Sequence, residues 1–141
     1  MPDKSFTVVA VLVQDHNDNI LLVRKKNTDT YIQPGGKPEL GEDTLHTAQR
    51  EIHEETGLSI PLDRFSYIGS FQAPAANEPG YTIHAECVRA RLHPSEHTTV
   101  QAAAEIEHIT WTAPQHAARL KTAPLFSEII LPLVLDELSH A

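Results

Sequence analysis

The sequence predicts an α/β domain, one mixed sheet with helices packed on its faces, as a single unit over residues 1–141. Three observations carry that prediction. Short β-branched or aliphatic runs come in mixed order with only two convincing helical stretches. No repeat, low-complexity run or linker divides the chain. At 141 residues and 40% hydrophobic content, the chain has room for one core and little for a second.

Taken in order, residues 6–15 (FTVVAVLVQD) and 20–26 (ILLVRKK) are strand-forming runs separated by HNDN, a polar cluster suited to a tight connection. A hairpin is therefore expected. Residues 30–36 (TYIQPGG) read as a short strand ended by Pro34, after which Gly35 and Gly36 permit backbone angles that other residues resist. Asp43 or Thr44 can cap a helix that runs to Glu55, and Gly57 supplies a left-handed stop. Residues 64–73 and 81–92 read as strands joined by the turn-rich PAANEPG, and 108–112 (HITWT) as the last strand. A closing amphipathic helix is expected over 126–138. Phe126, Ile129, Ile130, Leu133 and Val134 follow helical spacing, with Pro132 expected to kink or shorten it.

Composition narrows the functions on offer. A net charge of −8 argues against broad nucleic-acid or anionic-membrane surfaces, so an anionic ligand must be met by local positive charge. Arg24, Lys25, Lys26 and Lys37 supply such a patch, although strand alternation sends Arg24 and Lys25 to opposite faces. The amino terminus lacks an apolar signal region and no stretch approaches the roughly 18 apolar residues of a membrane span, so a cytoplasmic protein is expected. The single cysteine, Cys87, rules out an internal disulfide framework and reads as a small buried strand residue. His93 and His97 have metal-ligand spacing, but Pro94 argues against a helix that would align them, and they read as solvated loop residues. His46 and His53 fall on the solvent side of the first helix.

Within residues 35–58 five glutamates occur, three of them between Glu51 and Glu55. At about 100° of rotation per residue, Leu45, Ala48 and Ile52 line the core face. Glu51, Glu54 and Glu55 share a wedge beside that face, while Arg50 and His53 point elsewhere. Like charges at this spacing repel and raise one another's pKa unless a cation lies between them. Two readings fit: a solvated acidic face, or a site for a hard divalent cation that takes one or two carboxylates and completes its shell with water and phosphate.

Gly36, Glu42, Arg50, Glu51, Ile52, Glu54, Glu55, Gly57 and Leu58 fill every specified position of G-x5-E-x7-R-E-U-x-E-E-x-G-U, where U is an aliphatic residue. This resembles the signature of the Nudix hydrolases. The flanking strands, the QPGG approach, the Trp-bearing strand and the last helix are similar in outline to compact MutT-type members. The resemblance implies an α/β/α sandwich that hydrolyses a nucleoside diphosphate linked to another group X, with Mg²⁺ or Mn²⁺ as the required ion.

The same resemblance implies Glu51, Glu54 and Glu55 as metal ligands, the Gly35 or Gly36 carbonyl as a further oxygen, and Glu42 as a supporting residue or a ligand of an extra ion. Arg50 looks like a partner that positions a carboxylate. The general base would be a glutamate of the motif or a loop residue, with Glu105, six positions before Trp111, placed ahead of Glu107. Arg24 and Lys37 resemble phosphate contacts, and Gln33, Phe71 and Tyr81 are candidates for base or sugar contact. The leading substrate is a nucleoside triphosphate, including oxidised or damaged ones that a house-cleaning pyrophosphohydrolase removes. Pro74, which follows the motif at an offset seen in ADP-ribose pyrophosphatases, keeps ADP-ribose or a nucleotide sugar as the alternative. A non-catalytic nucleotide-binding or regulatory module is the reading from another class, and its mark would be loss of the glutamates. A small-molecule nucleotide partner, no extended nucleic acid and no membrane, and a monomer or homodimer complete the expectation.

Overall fold

The apolar run near the amino terminus becomes the middle of a six-stranded mixed sheet, because every second side chain along it finds a different core. The computed structural model describes residues 4–97 and 99–140. In it β1 (Ser5–Gln14) pairs in parallel with β5 (Thr82–Arg91), which pairs antiparallel with β4 (Phe65–Pro74). On its other side β1 meets β2 (Ile20–Lys25), and β2 pairs antiparallel with β6 (Ile106–Thr112), giving the order β4-β5-β1-β2-β6. Val9, Val11 and Val13 of β1 point to one face, where they meet Ala48 and Ile52 of helix α1 (Thr44–Thr56). Ala10 and Leu12 point to the other, against Phe126, Ile130 and Val134 near the carboxy terminus. Helices thus cover both faces, the sandwich expected from the sequence.

Four details depart from expectation. The hairpin between β1 and β2 is confined to its turn: Gln14 opposes Ile20, after which the strands part. The turn itself is held by Asp15, whose carboxylate accepts from the Asn17 and Asn19 backbone N–H groups and from the Asn19 amide. Residues 31–36 fill the gap. Val23 bridges Ile32, Val11 N–H donates to the Pro34 carbonyl, and β3 (Gly35–Gly36) pairs with Ala10 and Val9.

The second departure lies at the last helix: its regular part is short, as expected, with Pro132 in its first turn, but helical turns continue ahead of it. A π-helical turn over Leu125–Ile130 precedes α3 (Leu131–Ser139), and the Leu131 N–H reaches the Phe126 carbonyl. That wider turn accommodates a residue with no N–H of its own. Third, β6 begins two residues earlier than expected, at Ile106, which is buried. Fourth, one helical turn, α2 (Pro94–His97), forms where Pro94 argued against a helix, since proline is tolerated in the first turn. His93 and His97 still do not converge. His97 is half-buried, stacked on Trp111 with centroids 4.4 Å apart and 3.4 Å from Asp15, and it is not a solvated loop residue. Cys87 is fully buried in β5, and burial pushes its thiol up to about 12.

Arg64 fastens α2 to the rest of the fold. Its guanidinium donates to both Glu96 oxygens at 2.8 and 2.6 Å and to the Arg91 carbonyl, while the His93 N–H donates to Glu96 as well. These donors, Arg64 first, pull the Glu96 carboxyl down to about 2. A depressed carboxyl stabilises the fold fully above its unfolded value and loses that contribution as pH falls toward its folded value. Glu96→Gln is expected to lower stability by about 1 kcal/mol at pH 7, allowing for solvent screening. The gap from wild type should close between about pH 5 and pH 2, read from urea unfolding at each pH. A gap that stays constant over that range would assign the effect to something other than the ion pair.

Candidate active site

Helix α1 begins where Asp43, in an extended conformation, accepts the His46 N–H through its side chain, and it ends at Gly57, whose φ of 78° is left-handed. Those two stops fix which residues reach the Gly35–Gly36 segment. Gly35 sits so close to β1 that a Cβ there would lie 2.0 Å from the Val9 carbonyl oxygen, so the approach is open only to glycine. Its N–H donates to Glu55 Oε1 at 3.0 Å. A Cβ on Gly36 would lie 2.5 Å from Glu51 Oε1, so this glycine leaves room for that carboxylate.

The three carboxylates of the helix do not form one equivalent wedge. Glu55 is 2% exposed, and its Oε2 has no hydrogen-bond partner. Burial, opposed only in part by the Gly35 N–H, pushes its carboxyl up to about 8. Glu51 is half-buried, and desolvation raises it too, against the pull of Arg50. Glu54 stands half in solvent. Helical rotation explains the gradient, since Glu55 lies nearest the buried stripe and Glu54 farthest from it.

Arg50 corrects the wheel-based expectation that it points elsewhere. Its long side chain folds back among the carboxylates: Nε and Nη2 donate to the two oxygens of Glu42 at 2.8 and 2.9 Å, and Nη1 donates to Glu51 at 2.8 Å and Glu54 at 3.3 Å. Nη2 also reaches the Lys37 carbonyl. Glu42 further accepts from the Glu39 N–H and the Thr47 hydroxyl, and these donors, chiefly Arg50, hold it at about 2. With both oxygens engaged, Glu42 has the geometry of a supporting residue, not of a ligand for an extra ion. Among the described residues no three His, Cys, Asp or Glu side chains converge into a cage that would hold a metal unaided. An ion here would need water or substrate oxygens to complete its shell. The orphaned Glu55 oxygen, with Glu51 nearby and backbone carbonyls in the same loop, is a donor set that fits such a hard cation.

Among the cations, Arg24 and Lys25 go to different partners. Arg24 turns away and donates to the Thr28 carbonyl, pinning the turn after β2. Lys25 is the strand residue near the carboxylates: its Nζ is 3.3 Å from Glu105, and its charge acts on both Glu51 and Glu55. Alternation along β2 had separated the two residues, but only packing could choose between them. Lys37 places its Nζ 4.6 Å from the centroid of the Phe6 ring.

Glu105 is delivered by a docked loop. Gln101 and Ala103 donate their N–H groups to the Thr56 and Glu55 carbonyls at the end of α1, Ala104 adopts a left-handed φ of 53°, and Lys26 N–H takes the Glu105 carbonyl. The carboxylate is 62% exposed and close enough to Glu55 to raise it. Glu107 lies exposed on β6.

Beside this cluster is a cavity of about 120 Å³, walled by Phe6, Val8, Ile83, Leu125 and Phe126, with Gly35, Gly36 and Lys25 on the side that adjoins the carboxylates. Gln33 lines it, buried. Tyr81 does not line it, but its ring lies 6.0 Å from that of Phe6, which does. Phe71 does not line it: from edge strand β4 it packs against the same core cluster that holds Leu125 and Phe126.

Comparison with known proteins adds three findings. The family profile of the NUDIX domain matches residues 4–134. Over 70 residues the chain is 39% identical to an m7GpppN-mRNA hydrolase of Xenopus laevis (46% of this chain, 24% of that one), and over 64 residues 39% identical to a putative 8-oxo-dGTP diphosphatase of Bacillus subtilis (45% and 42%). These matches span less than half the length of either relative. The solution structure of the E. coli ORF135 protein superposes over 97% of this chain and 91% of that one, with a TM-score of 0.67 and 26% identity.

Proposed function

The chain belongs to the NUDIX domain family, and from that premise we propose that it is a pyrophosphohydrolase acting on a nucleoside diphosphate linked to X, with a nucleoside triphosphate as the leading substrate and Mg²⁺ or Mn²⁺ as cofactor. One observation carries the reading: a buried carboxylate, Glu55, with an unpartnered oxygen, stands beside Glu51 and accepts from Gly35, which lines an apolar cavity together with Lys25. Glu51, Glu55 and a carbonyl of Gly35 or Gly36 would hold the ion, with Glu54 reaching it from the solvent side. Such an ion draws charge from the phosphoryl oxygens and acidifies bound water.

The protein's own residues do the remaining work by position and charge, which is what phosphoryl chemistry asks of them. Arg50 opposes the desolvation of Glu51 and fixes it by a 2.8 Å contact. Lys25 offers the one strand ammonium aimed at the cluster, and Lys37 adds positive charge beside Phe6. Glu105, exposed and paired with Lys25 at 3.3 Å, is free to accept a proton from water at the open side of the site. Action in the cytoplasm on a small nucleotide, by a monomer or homodimer, belongs to the same reading. Among the described residues no helix is long and apolar enough to cross a membrane.

The decisive assay incubates the purified protein with Mg²⁺, and separately with chelator, on dNTPs, NTPs, 8-oxo-dGTP, ADP-ribose, dinucleoside polyphosphates and capped RNA. Metal-dependent release of a monophosphate product is expected, with a triphosphate turned over fastest. Nucleotide affinity without turnover on any of these would replace the enzyme with a binding module.

A further inference from the structure

Gln33 is 6% exposed, and both its Oε1 and its Nε2 are buried without a hydrogen-bond partner. An amide in that condition is costly, because a donor and an acceptor have both left water for nothing. It lies in the wall of the cavity that adjoins the carboxylate cluster, among apolar side chains. Largely apolar walls, with Lys25, Asn77 and Glu78 also lining the cavity and the buried Gln33 amide unpartnered, describe a pocket for a flat ring whose edge is polar. Its volume of about 120 Å³ is a little under the roughly 150 Å³ that receives a benzene molecule, so it takes the edge of a flat ring system and leaves the rest of a ligand outside. Lys25 and Gly35 line the cavity and also meet the carboxylates, at Glu105 and Glu55.

We propose that Gln33 is the specificity-determining residue of this site, reading the edge of a nucleobase that presents a hydrogen-bond donor next to an acceptor. The primary amide offers one of each, so it pairs in two bonds with the N6–H and N7 of adenine, or with the O6 and N7–H of a purine oxidised at C8. The corresponding edge of ordinary guanine has two acceptors, O6 and N7, and leaves the amide oxygen unpaired. The inference rests on the nucleotide-hydrolase reading for its placement of the phosphates, but its central claim concerns binding and is tested without turnover.

The test uses the full chain with Gln33→Leu, and Gln33→Met as a second variant of similar size. Titration calorimetry with AMP, GMP, 8-oxo-dGMP and ribose 5-phosphate, each with Mg²⁺, reads the base contribution directly. Wild type should bind at least one nucleoside monophosphate about ten- to a hundredfold more tightly than ribose 5-phosphate, and both variants should lose that preference. The variants should also melt a few degrees higher, since an apolar side chain removes the unpaired amide. Equal wild-type affinity for ribose 5-phosphate and every monophosphate, or a base preference unchanged in both variants, would overturn the assignment. A base preference that depends on Gln33 in a protein inactive on every triphosphate would uphold it and remove the hydrolase reading alone.

Discussion

Glu55→Gln is expected to reduce turnover by about a thousandfold while making the metal-free protein more stable. The two effects share one cause. Glu55 is buried with one oxygen bonded to the Gly35 N–H and the other bonded to nothing, and burial lifts its carboxyl to about 8. In the unfolded chain it ionises near 4.5, so between those values the folded protein retains a proton that the unfolded chain has released. Stability of the metal-free wild type should therefore fall as pH rises through that window, and the glutamine variant should lack that slope. At pH 7 the variant gains roughly 2 kcal/mol, because a neutral amide still accepts the Gly35 N–H and no longer threatens to bury a charge. Mg²⁺ should raise the melting temperature of wild type and leave that of the variant unmoved.

The same substitution at Glu54, whose side chain is 50% exposed, should also remove most turnover, but with no gain in stability. Near-wild-type activity in either variant would refute its place at the reacting centre. Loss of activity in Glu55→Gln without the stability gain would show that the carboxylate is already compensated in the fold.

Gly35→Ala is expected to lose 3 kcal/mol or more, roughly, since it combines a forbidden contact with an unfavourable dihedral. The new Cβ would sit 2.0 Å from the Val9 carbonyl oxygen and 3.0 Å from its carbon, atoms of a buried central strand with no rotamer to change. The φ of 148° adds strain of its own. Gly57→Ala is the matching control: its φ of 78° is equally restricted, but nothing lies within 4 Å of the added carbon. It should cost about 1 kcal/mol, the dihedral share alone. Urea unfolding of both variants separates the two contributions, and equal losses would mean that β1 and the Gly35 segment can move apart. If they can, Gly35→Ala should also release the N–H that holds Glu55.

Much of this arrangement is legible without coordinates. The β-branched and aliphatic run of residues 6–15 announces a strand, and the spacing of Gly36, Glu42, Arg50, Glu51, Glu54 and Glu55 marks the chemical centre. Period and spacing are local properties, so the chain states them in one dimension. The sequence order of β1 and β2 suggested a full hairpin, yet β2 spends most of its bonds on β6, and the gap admits the glycine segment.

The sequence by itself determined the α/β class, the capped helix that carries the glutamates, and the family to which that spacing belongs. Tertiary structure decided which of several equal-looking residues meet. It chose Lys25 over Arg24, turned Arg50 inward, graded three glutamates from buried to exposed, and put Gln33 but not Phe71 in the cavity. The reason is physical. Burial and charge depend on distances between segments far apart in the chain, and no periodicity within one segment encodes them.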